Sequence, residues 1–274
     1  MLLRRILRRI PPFRKPRIPA YIHIPKTGGT YLAQREGSAR PVIQPLKYLG
    51  HRAVIHQDGI PNYIYYPHDP VGSEWTISKS ALWRYFVFCC VRNPFDWLVS
   101  YAGHAAGWNP AYRNADHYDY QVASKGFDYL VRTIADREQP WPSRKFIFFQ
   151  MFASDADLIV DWIARTETLD QDLSAIARRL GVRYARKPRQ RVGVRRDYRS
   201  YYDDGLIDLV SSIWSREMEL FGYHFEGWND QDAILIGKVP RARKKTVHYD
   251  IRRDEMTISG RIFSPRSVTE SLVQ

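Results

Sequence analysis

The feature that most constrains this chain is a short stretch near its start, Tyr21-Ile22-His23-Ile24-Pro25-Lys26-Thr27-Gly28-Gly29-Thr30. Its apolar beginning predicts a strand, and the lysine, glycines and hydroxyls that follow predict a turn. Adjacent glycines let the backbone bend so that successive N–H groups converge on one anion. Lys26 adds a mobile positive charge, and a helix beginning after Gly29 adds the positive end of its dipole. The stretch therefore predicts a strand that leads into a phosphate-binding loop, with hydroxyl donors from Thr27 and Thr30.

This loop differs from the common nucleoside triphosphate loop, which places a glycine five residues before its Gly-Lys-Ser/Thr run. Here Lys26 comes before the glycines, and no glycine occurs upstream of it. Because Thr27 follows Lys26 directly and mimics part of that pattern, a nucleotide kinase or another P-loop enzyme stays an alternative. An ordinary strand and turn with a surface lysine is the other alternative.

The Pro-Lys-Thr-Gly-Gly-Thr run after an Ile-His-Ile strand resembles the 5′-phosphosulfate-binding loop of sulfotransferases. These enzymes use 3′-phosphoadenosine-5′-phosphosulfate (PAPS) as donor. The variants most similar to this run are those of carbohydrate sulfotransferases, including the heparan sulfate 2-O-sulfotransferase group. The resemblance implies that Lys26 acts on the leaving phosphate, with no metal required. It also implies that the cofactor is bound by Lys26, Thr27, Gly28, Gly29, Thr30 and Tyr31.

A second apolar run, Trp83–Val91, predicts a central strand that ends in Arg92-Asn93-Pro94. Pro94 suits the first turn of a helix, which we expect to continue to about Ala106. An arginine at the end of a strand can grip a phosphate in a fork, and Ser100 follows about two helical turns after Asn93. The alternative for Arg92 is a local salt bridge with Asp96, with Ser100 as a plain helix residue.

The segment Phe88-Cys89-Cys90-Val91-Arg92-Asn93-Pro94-Phe95-Asp96-Trp97-Leu98-Val99-Ser100-Tyr101 closely resembles the 3′-phosphate-binding motif of the same sulfotransferases. By this resemblance, Arg92 and Ser100 bind the 3′-phosphate of the cofactor. A looser similarity covers Trp162–Leu173 and Tyr198–Phe225, so the resemblance extends over roughly residues 20–226. Three arginines in the basic segment before Tyr198 are assigned to the cofactor or to an anionic acceptor: Arg191, Arg195 and Arg196. A solvated basic loop is the alternative for them.

Strands and helices alternate along the chain, which indicates an α/β protein. Asp157–Arg165 predicts another strand, and Thr168 is the expected cap of a predicted helix, Leu169–Leu180, that Gly181 ends. Residues 203–221 predict one amphipathic helix. The resemblance implies a P-loop-like three-layer domain with a central parallel β-sheet flanked by helices. We divide the chain into a basic N-terminal tail (1–19), a sulfotransferase domain (20–226) and a C-terminal extension that the weak pattern predicts to be poorly ordered (227–274).

Sulfonyl transfer needs a base for the acceptor hydroxyl, and a histidine or a carboxylate can serve. His51, in Leu49-Gly50-His51-Arg52, resembles the Gly-His element of the 2-O-sulfotransferase group, whose histidine is the proposed base. The segment between His51 and Arg92 is longer here than in that group. Other candidates for the base are His56, His68 and Glu36, whereas we expect His23 to pack within the sheet.

The net charge of +13 implies anionic partners. Two adjacent cysteines, Cys89 and Cys90, point to opposite faces of a strand and do not suit a disulfide or a zinc site. No apolar run is long enough to span a membrane, and we expect a cytoplasmic protein. The tail Met1–Arg17 is basic with apolar residues at roughly helical spacing, so it predicts either a frayed end or a peripheral contact with an anionic membrane.

The sequence thus predicts a PAPS-dependent sulfotransferase that acts on a hydroxyl, that of a carbohydrate or another acceptor that can itself be anionic. A nucleotide kinase is one alternative. A non-catalytic nucleic-acid-binding protein is another, because the charge of +13 would suit it, although it gives no reason for two phosphate motifs. We expect no specific nucleic-acid partner.

Overall fold

A computed structural model of the protein describes residues 17–33, 42–48, 53–56, 75–107, 118–136, 158–186, 196–240, 244–250 and 255–263. The strands are β1 (Ile18–Ile22), β2 (Ile43–Gln44), β3 (Lys47–Tyr48), β4 (Ala53–His56), β5 (Trp75–Ser78), β6 (Tyr85–Val91), β7 (Trp162–Arg165), β8 (Arg183–Tyr184), β9 (Tyr223–His224), β10 (Gly227–Trp228), β11 (Gly237–Lys238), β12 (Val247–Asp250), β13 (Glu255–Ile258) and β14 (Arg261–Phe263). The helices are α1 (Gly29–Ala33), α2 (Pro94–Ala105), α3 (Tyr118–Ala123), α4 (Phe127–Ala135), α5 (Leu169–Leu180), α6 (Asp204–Ile213) and α7 (Ser215–Phe221), with 3-10 helices at Lys79–Arg84 and Tyr198–Tyr201.

The largest sheet has five strands in the order β11-β7-β6-β1-β3. The pairs β7-β6, β6-β1 and β1-β3 are parallel, and β11 is antiparallel at the edge. Strand β6 reads Tyr-Phe-Val-Phe-Cys-Cys-Val and is buried at every position after the first. A continuous apolar run suits a central parallel strand, because both of its faces are covered. The predicted α/β class with a parallel central sheet is confirmed, whereas its three-layer arrangement stays a prediction.

Successive side chains of β6 enter different parts of the core, as the period of two in a strand requires. Val87, Cys89 and Val91 pack in a cluster with Leu220 and Phe221 of α7. Phe86, Phe88 and Cys90 pack in another cluster, whose other members include the α5 residues Leu169, Leu173 and Ile176. The two cysteines are therefore on opposite faces, and both are free, as predicted.

The described residues after Gly227 form strands where the sequence pattern is weak. β12, β13 and β14 make an antiparallel sheet, and β11 joins the edge of the central one. Buried residues of this region join the cluster of Val87 and Phe221: Val247, Tyr249, Met256, Ile258 and Phe263. The strands are only three or four residues long, which is too short for a strong alternation signal. The boundaries of the three predicted segments stay predictions.

Helix α2 begins at Pro94 and ends at Ala105, close to the predicted bounds. Helix α5 has the predicted bounds, and Gly181 ends it in a left-handed conformation with φ 65°. Thr168 stands at the position before α5, but its side chain makes no capping hydrogen bond to the helix, so the expected side-chain cap is absent. Its hydroxyl donates instead to the Asp172 carboxylate, 2.9 Å away.

Two predicted strands are shorter than expected. The run from Trp83 begins in a 3-10 helix, and Trp83 itself is exposed, so β6 starts only at Tyr85. In the described part of the run from Asp157, residues 158–165, strand β7 spans only Trp162–Arg165. Just before it, the Asp161 N–H donates to the Val87 carbonyl, whereas the Val87 N–H donates to the Asp161 carboxylate at 2.9 Å and not to a backbone carbonyl.

The single helix predicted over residues 203–221 is two helices, α6 and α7, with Trp214 between them. Trp214 has φ −106° and ψ 22°, outside helical geometry, and its side chain is buried. The apolar period continues across the break because both helices bury residues beside it, so the pattern alone does not reveal the interruption.

Within the described ranges, no helix is both long and apolar enough to cross a membrane. In the same part of the chain, no three His, Cys, Asp or Glu side chains come together as a group that could hold a metal ion.

Candidate functional site

The loop after β1 has an unusual backbone conformation. Lys26 has φ 64° and Gly28 has φ 98°, both in the left-handed region. That region is unfavourable for a residue with a Cβ atom, so Lys26 is held there by its surroundings at a cost of about 1–2 kcal/mol. The predicted strand and turn are thus present, with β1 ending at Ile22 and α1 beginning at Gly29.

Side-chain donors hold three successive carbonyl groups of this loop. The Thr27 hydroxyl donates to the Ile24 carbonyl at 2.7 Å, and the Trp97 indole N–H donates to the Pro25 carbonyl at 2.8 Å. Arg92 Nη1 donates to the Lys26 carbonyl at 2.9 Å. Because a peptide is planar and its N–H points opposite to its C=O, the contacts of the Pro25 and Lys26 carbonyls also fix the directions of the Lys26 and Thr27 N–H groups.

Both glycines of the loop are closely packed. A Cβ atom on Gly29 would lie 1.9 Å from His23 Nε2, and one on Gly28 would lie 2.8 Å from Leu169 Cδ2. The His23 ring stacks on Tyr21 with a centroid distance of 5.8 Å. Glycine is therefore required at position 29 by close approach and at position 28 by both conformation and packing.

The segment after β6 brings a second set of polar groups to the same edge of the sheet. β1 and β6 are adjacent and parallel, so their carboxyl ends meet there. The Arg92 guanidinium donates from Nε to Asp96 Oδ2 at 2.7 Å, and its Nη2 lies 2.6 Å from the same oxygen. The local salt bridge considered as the alternative for Arg92 is therefore present, and the same side chain also holds the Lys26 carbonyl.

Asn93 fixes the start of α2. Its side-chain oxygen accepts the Phe95 N–H at 3.0 Å, and its amide nitrogen donates to the carbonyls of His224 and Gly227 at 2.9 and 3.0 Å. Pro94 occupies the first turn, as predicted. Asn93 thus ties the segment after β6 to the β9–β10 hairpin.

A carboxylate follows β7 at the same edge. Glu167 accepts the Asn93 N–H at 2.8 Å through Oε1 and the Tyr223 hydroxyl at 2.9 Å through Oε2. Burial raises the pKa of Glu167, and its hydrogen bonds and the nearby Arg92 charge oppose this only in part. Three neighbouring parallel strands are thus each followed by a residue of one polar network: Lys26 after β1, Arg92 after β6 and Glu167 after β7.

The sequence profile of the sulfotransferase family matches residues 67–224, more than half of the chain. The chain belongs to the sulfotransferase family. The matched region contains β6, Arg92 and all of α2, whereas the loop after β1 precedes it. No curated protein and no solved structure matched the chain significantly. The predicted sulfotransferase family is confirmed, and with it the class of group transfer.

Within this sulfotransferase, the residues predicted to bind the cofactor have different settings. Thr27 is fully buried, and its hydroxyl proton is committed to the Ile24 carbonyl, so we expect any contact of Thr27 with an anion to come from its backbone N–H. The backbone of Thr30 lies in α1. Ser100 is half-buried on α2, and Lys26 is half-buried in the loop.

Tyr31 belongs to a separate cluster centred on Asp170, at the start of α5. Its hydroxyl donates to Asp170 Oδ1 at 2.6 Å, and the Tyr184 hydroxyl donates to the same oxygen at 2.8 Å. Arg186 Nε lies 3.3 Å from Asp170 Oδ2. Burial and the hydrogen bond to Asp170 raise the pKa of Tyr184. The structure therefore gives the Tyr31 hydroxyl a role in joining α1 to α5, and its cofactor contact stays a prediction.

Several predicted site residues of the sulfotransferase lie outside the described residues: His51, His68, Glu36, Arg191 and Arg195. The backbone of His56 lies in β4, and Arg196 is exposed. His23 was expected to pack within the sheet, but it lies directly after β1 and is half-buried, with its ring against Tyr21 and Gly29.

Sequence reasoning did not assign roles to Trp97, Asn93 or Glu167. Glu167 lies two residues after the end of the buried strand β7. Its position as a polar residue close to a strand end was the available signal. Nothing in the pattern separated Trp97 from an ordinary apolar residue of an amphipathic helix. Its role depends on a contact with Pro25, 72 residues away in sequence.

Proposed function

We propose that this sulfotransferase moves a sulfonyl group from PAPS to a hydroxyl of a carbohydrate. The observation that carries the proposal is the hydrogen bond between Arg92 Nη1 and the Lys26 carbonyl, 2.9 Å. It joins the two segments that the sequence predicts to bind phosphate, at one edge of the sheet. A donor with phosphate groups at both its 5′ and 3′ positions fits two adjacent anion sites better than a plain triphosphate does.

The loop after β1 fits the 5′-phosphosulfate end. In the reaction, the bond from sulfur to the leaving phosphate oxygen breaks, a bond to the acceptor oxygen forms, and the acceptor hydroxyl loses its proton. Negative charge then develops on the leaving oxygen, as in phosphoryl transfer. The Lys26 ammonium and the fixed N–H groups of the loop are the donors that would stabilise this charge, and no metal ion is needed for it.

Arg92 and Ser100 are the proposed ligands of the 3′-phosphate. The Arg92 side chain is only 12% exposed and is fixed between Asp96 and the loop. A guanidinium has five N–H donors, so phosphate binding here means sharing them with the Asp96 carboxylate and the Lys26 carbonyl. Arg195 is a further proposed contact with the cofactor.

His51 is the proposed base that accepts the proton of the acceptor hydroxyl, by its resemblance to the Gly-His element of the 2-O-sulfotransferase group. The test is the transfer rate of His51→Ala, with cofactor affinity measured alongside. We expect a large loss of rate at unchanged affinity. A near-normal rate would remove His51 from the mechanism and direct attention to His56, His68 and Glu36.

A carbohydrate acceptor, an anionic one included, is supported by the net charge of +13 and by the resemblance to carbohydrate sulfotransferases. Transfer of labelled sulfonyl from PAPS to heparan-type and chondroitin-type chains, compared with small phenols, tests the acceptor class. A cytoplasmic location and contact of the basic tail with an anionic membrane stay predictions.

The setting of Thr27 weighs against the nucleotide kinase alternative. A kinase loop of this type uses the hydroxyl after its lysine to bind magnesium. Here that hydroxyl is buried and donates to the Ile24 carbonyl. The nucleic-acid-binding alternative predicts salt-sensitive binding of DNA or RNA that 3′-phosphoadenosine-5′-phosphate does not diminish.

Calorimetry with 3′-phosphoadenosine-5′-phosphate against ATP tests the proposed function. We expect binding of the former, and strong weakening of that binding in Lys26→Ala and in Arg92→Ala. Equal affinity for ATP would overturn the assignment. Lys125→Ala is a matched control, because this exposed lysine follows α3 and we assign it no cofactor contact.

A further inference from the structure

We infer that Trp97 is a positioning residue for the phosphate-binding loop, acting through its hydrogen bond to the Pro25 carbonyl. The inference rests on the proposed function, because it concerns the end of the site assigned to the 5′-phosphate. It goes beyond that function because it assigns a role in the loop after β1 to a side chain of the segment after β6.

The Trp97 ring is fixed in place on every side. It is fully buried on α2, stacks on Tyr101 with a centroid distance of 5.0 Å and an angle of 4°, and lies 6.4 Å from the Trp214 ring. Its indole N–H donates to the Pro25 carbonyl at 2.8 Å. Because the donor is rigid and buried, the Pro25 carbonyl that accepts its hydrogen bond is held in one orientation.

This carbonyl direction decides where the loop presents its N–H groups. The peptide between Pro25 and Lys26 is trans and planar, so the Lys26 N–H points away from Trp97. Arg92 acts in the same way on the next peptide, and thereby directs the Thr27 N–H. Trp97 and Arg92 thus make two successive N–H groups of the loop, those of Lys26 and Thr27, point away from the segment after β6.

The conformation of Lys26 makes such support necessary. Lys26 has φ 64°, a region that a residue with a Cβ atom rarely adopts without help from its surroundings. If the Pro25 carbonyl loses its partner, it must find another one or rotate toward water. Rotation of that peptide would also turn the Lys26 N–H, and the anion site would lose a donor.

The test is Trp97→Phe, which keeps a buried aromatic ring and removes the N–H donor. Calorimetry would compare three ligands: 3′-phosphoadenosine-5′-phosphate, adenosine 5′-phosphate and adenosine 3′-phosphate. We expect affinity for the two ligands with a 5′-phosphate to fall about tenfold, the size of one lost buried hydrogen bond, with adenosine 3′-phosphate unchanged. Trp214→Phe is the matched control, because it replaces a second buried indole of the same cluster with a smaller ring.

Equal losses for all three ligands, or no loss for any, would overturn the inference while leaving the proposed function intact. If the wild-type protein binds none of the three ligands, the proposed function fails and this inference with it. Should Trp97→Phe not fold, 3-benzothienylalanine at position 97 keeps the shape of tryptophan without the N–H. The same selective loss of 5′-phosphate affinity is then expected, and an unchanged affinity overturns the inference.

Discussion

The two segments that follow β1 and β6 lie at one edge of the sheet but are stabilised in different ways. The loop after β1 has left-handed residues at Lys26 and Gly28, and two of its carbonyls are held by side chains from the other segment. The segment after β6 has a local helix start, with Asn93 as the cap and Arg92 paired with Asp96. The left-handed backbone of the first segment therefore depends on distant side chains, whereas the second has a local cap and a local ion pair in addition to its long-range contacts.

This difference predicts how substitutions separate binding from stability. Changes at Lys26, Gly28 and Gly29 in the loop after β1 should mainly alter ligand affinity, because none of these three residues contributes an apolar side chain to the core. A change at Asn93 should mainly alter the free energy of unfolding, since its amide group holds the start of α2 to the β9–β10 hairpin.

The largest effect is expected from Gly29→Ala. The new Cβ atom would lie 1.9 Å from His23 Nε2, so either the ring or the loop must move. A displacement of about 1 Å in a positioned group can lower a reaction rate about a hundredfold. We expect a loss of similar size in the affinity for 3′-phosphoadenosine-5′-phosphate. Calorimetry measures it.

Two further variants make this prediction specific. In Gly205→Ala the nearest atom would be 3.6 Å from the new Cβ, so we expect unchanged affinity. The double variant His23→Ala/Gly29→Ala removes the clash and should recover part of the binding. If Gly29→Ala alone binds normally, the loop does not need close packing against His23.

Asn93→Ala should give the next largest effect, on stability. It removes the cap of α2 and two hydrogen bonds to the carbonyls of His224 and Gly227. We expect the free energy of unfolding, measured by urea denaturation, to fall by about 2–4 kcal/mol. Thr168→Ala is the comparison, because that side chain does not cap α5, and about 1 kcal/mol is expected. Equal losses in the two variants would contradict the assigned role of Asn93.

A smaller, pH-dependent effect is expected at Glu167, whose pKa burial raises above the ordinary value of 4.5. The folded protein holds this proton more tightly than the unfolded chain does. The carboxyl therefore stabilises the fold in full below about pH 4.5, and this contribution is lost as pH rises through the raised pKa. The stability advantage of wild type over Glu167→Gln should accordingly shrink with rising pH. Urea denaturation between about pH 4.5 and pH 7.5 measures it, and a constant or growing advantage would contradict the shift.

The smallest effect is expected from Tyr31→Phe. If its hydroxyl serves mainly to join α1 to Asp170, its loss should lower the free energy of unfolding by about 1 kcal/mol and leave ligand affinity nearly unchanged. Tyr184→Phe removes the other hydroxyl on the same oxygen and should behave alike. A large loss of affinity in Tyr31→Phe alone would instead show that this hydroxyl contacts the cofactor.

Much of the fold follows from local patterns in the sequence. The buried run of β6, the bounds of α5 and the start of α2 at Pro94 were all predicted, because burial on both faces, amphipathic spacing and a proline are local signals. The break at Trp214 was not, since the apolar period continues through it. The strands after Gly227 are too short to give a clear pattern.

For the site, the sequence by itself determined which residue types follow β1 and β6, and those types predict an anionic ligand. Only the tertiary structure decided how these residues are used. It committed the Thr27 hydroxyl to the Ile24 carbonyl and divided Arg92 between Asp96 and the loop. It also brought Glu167 into contact with the segment after β6, and Trp97 into contact with the loop after β1. The physical reason is that hydrogen-bond partners far apart in sequence are chosen by the register and order of the parallel strands, which no local pattern encodes.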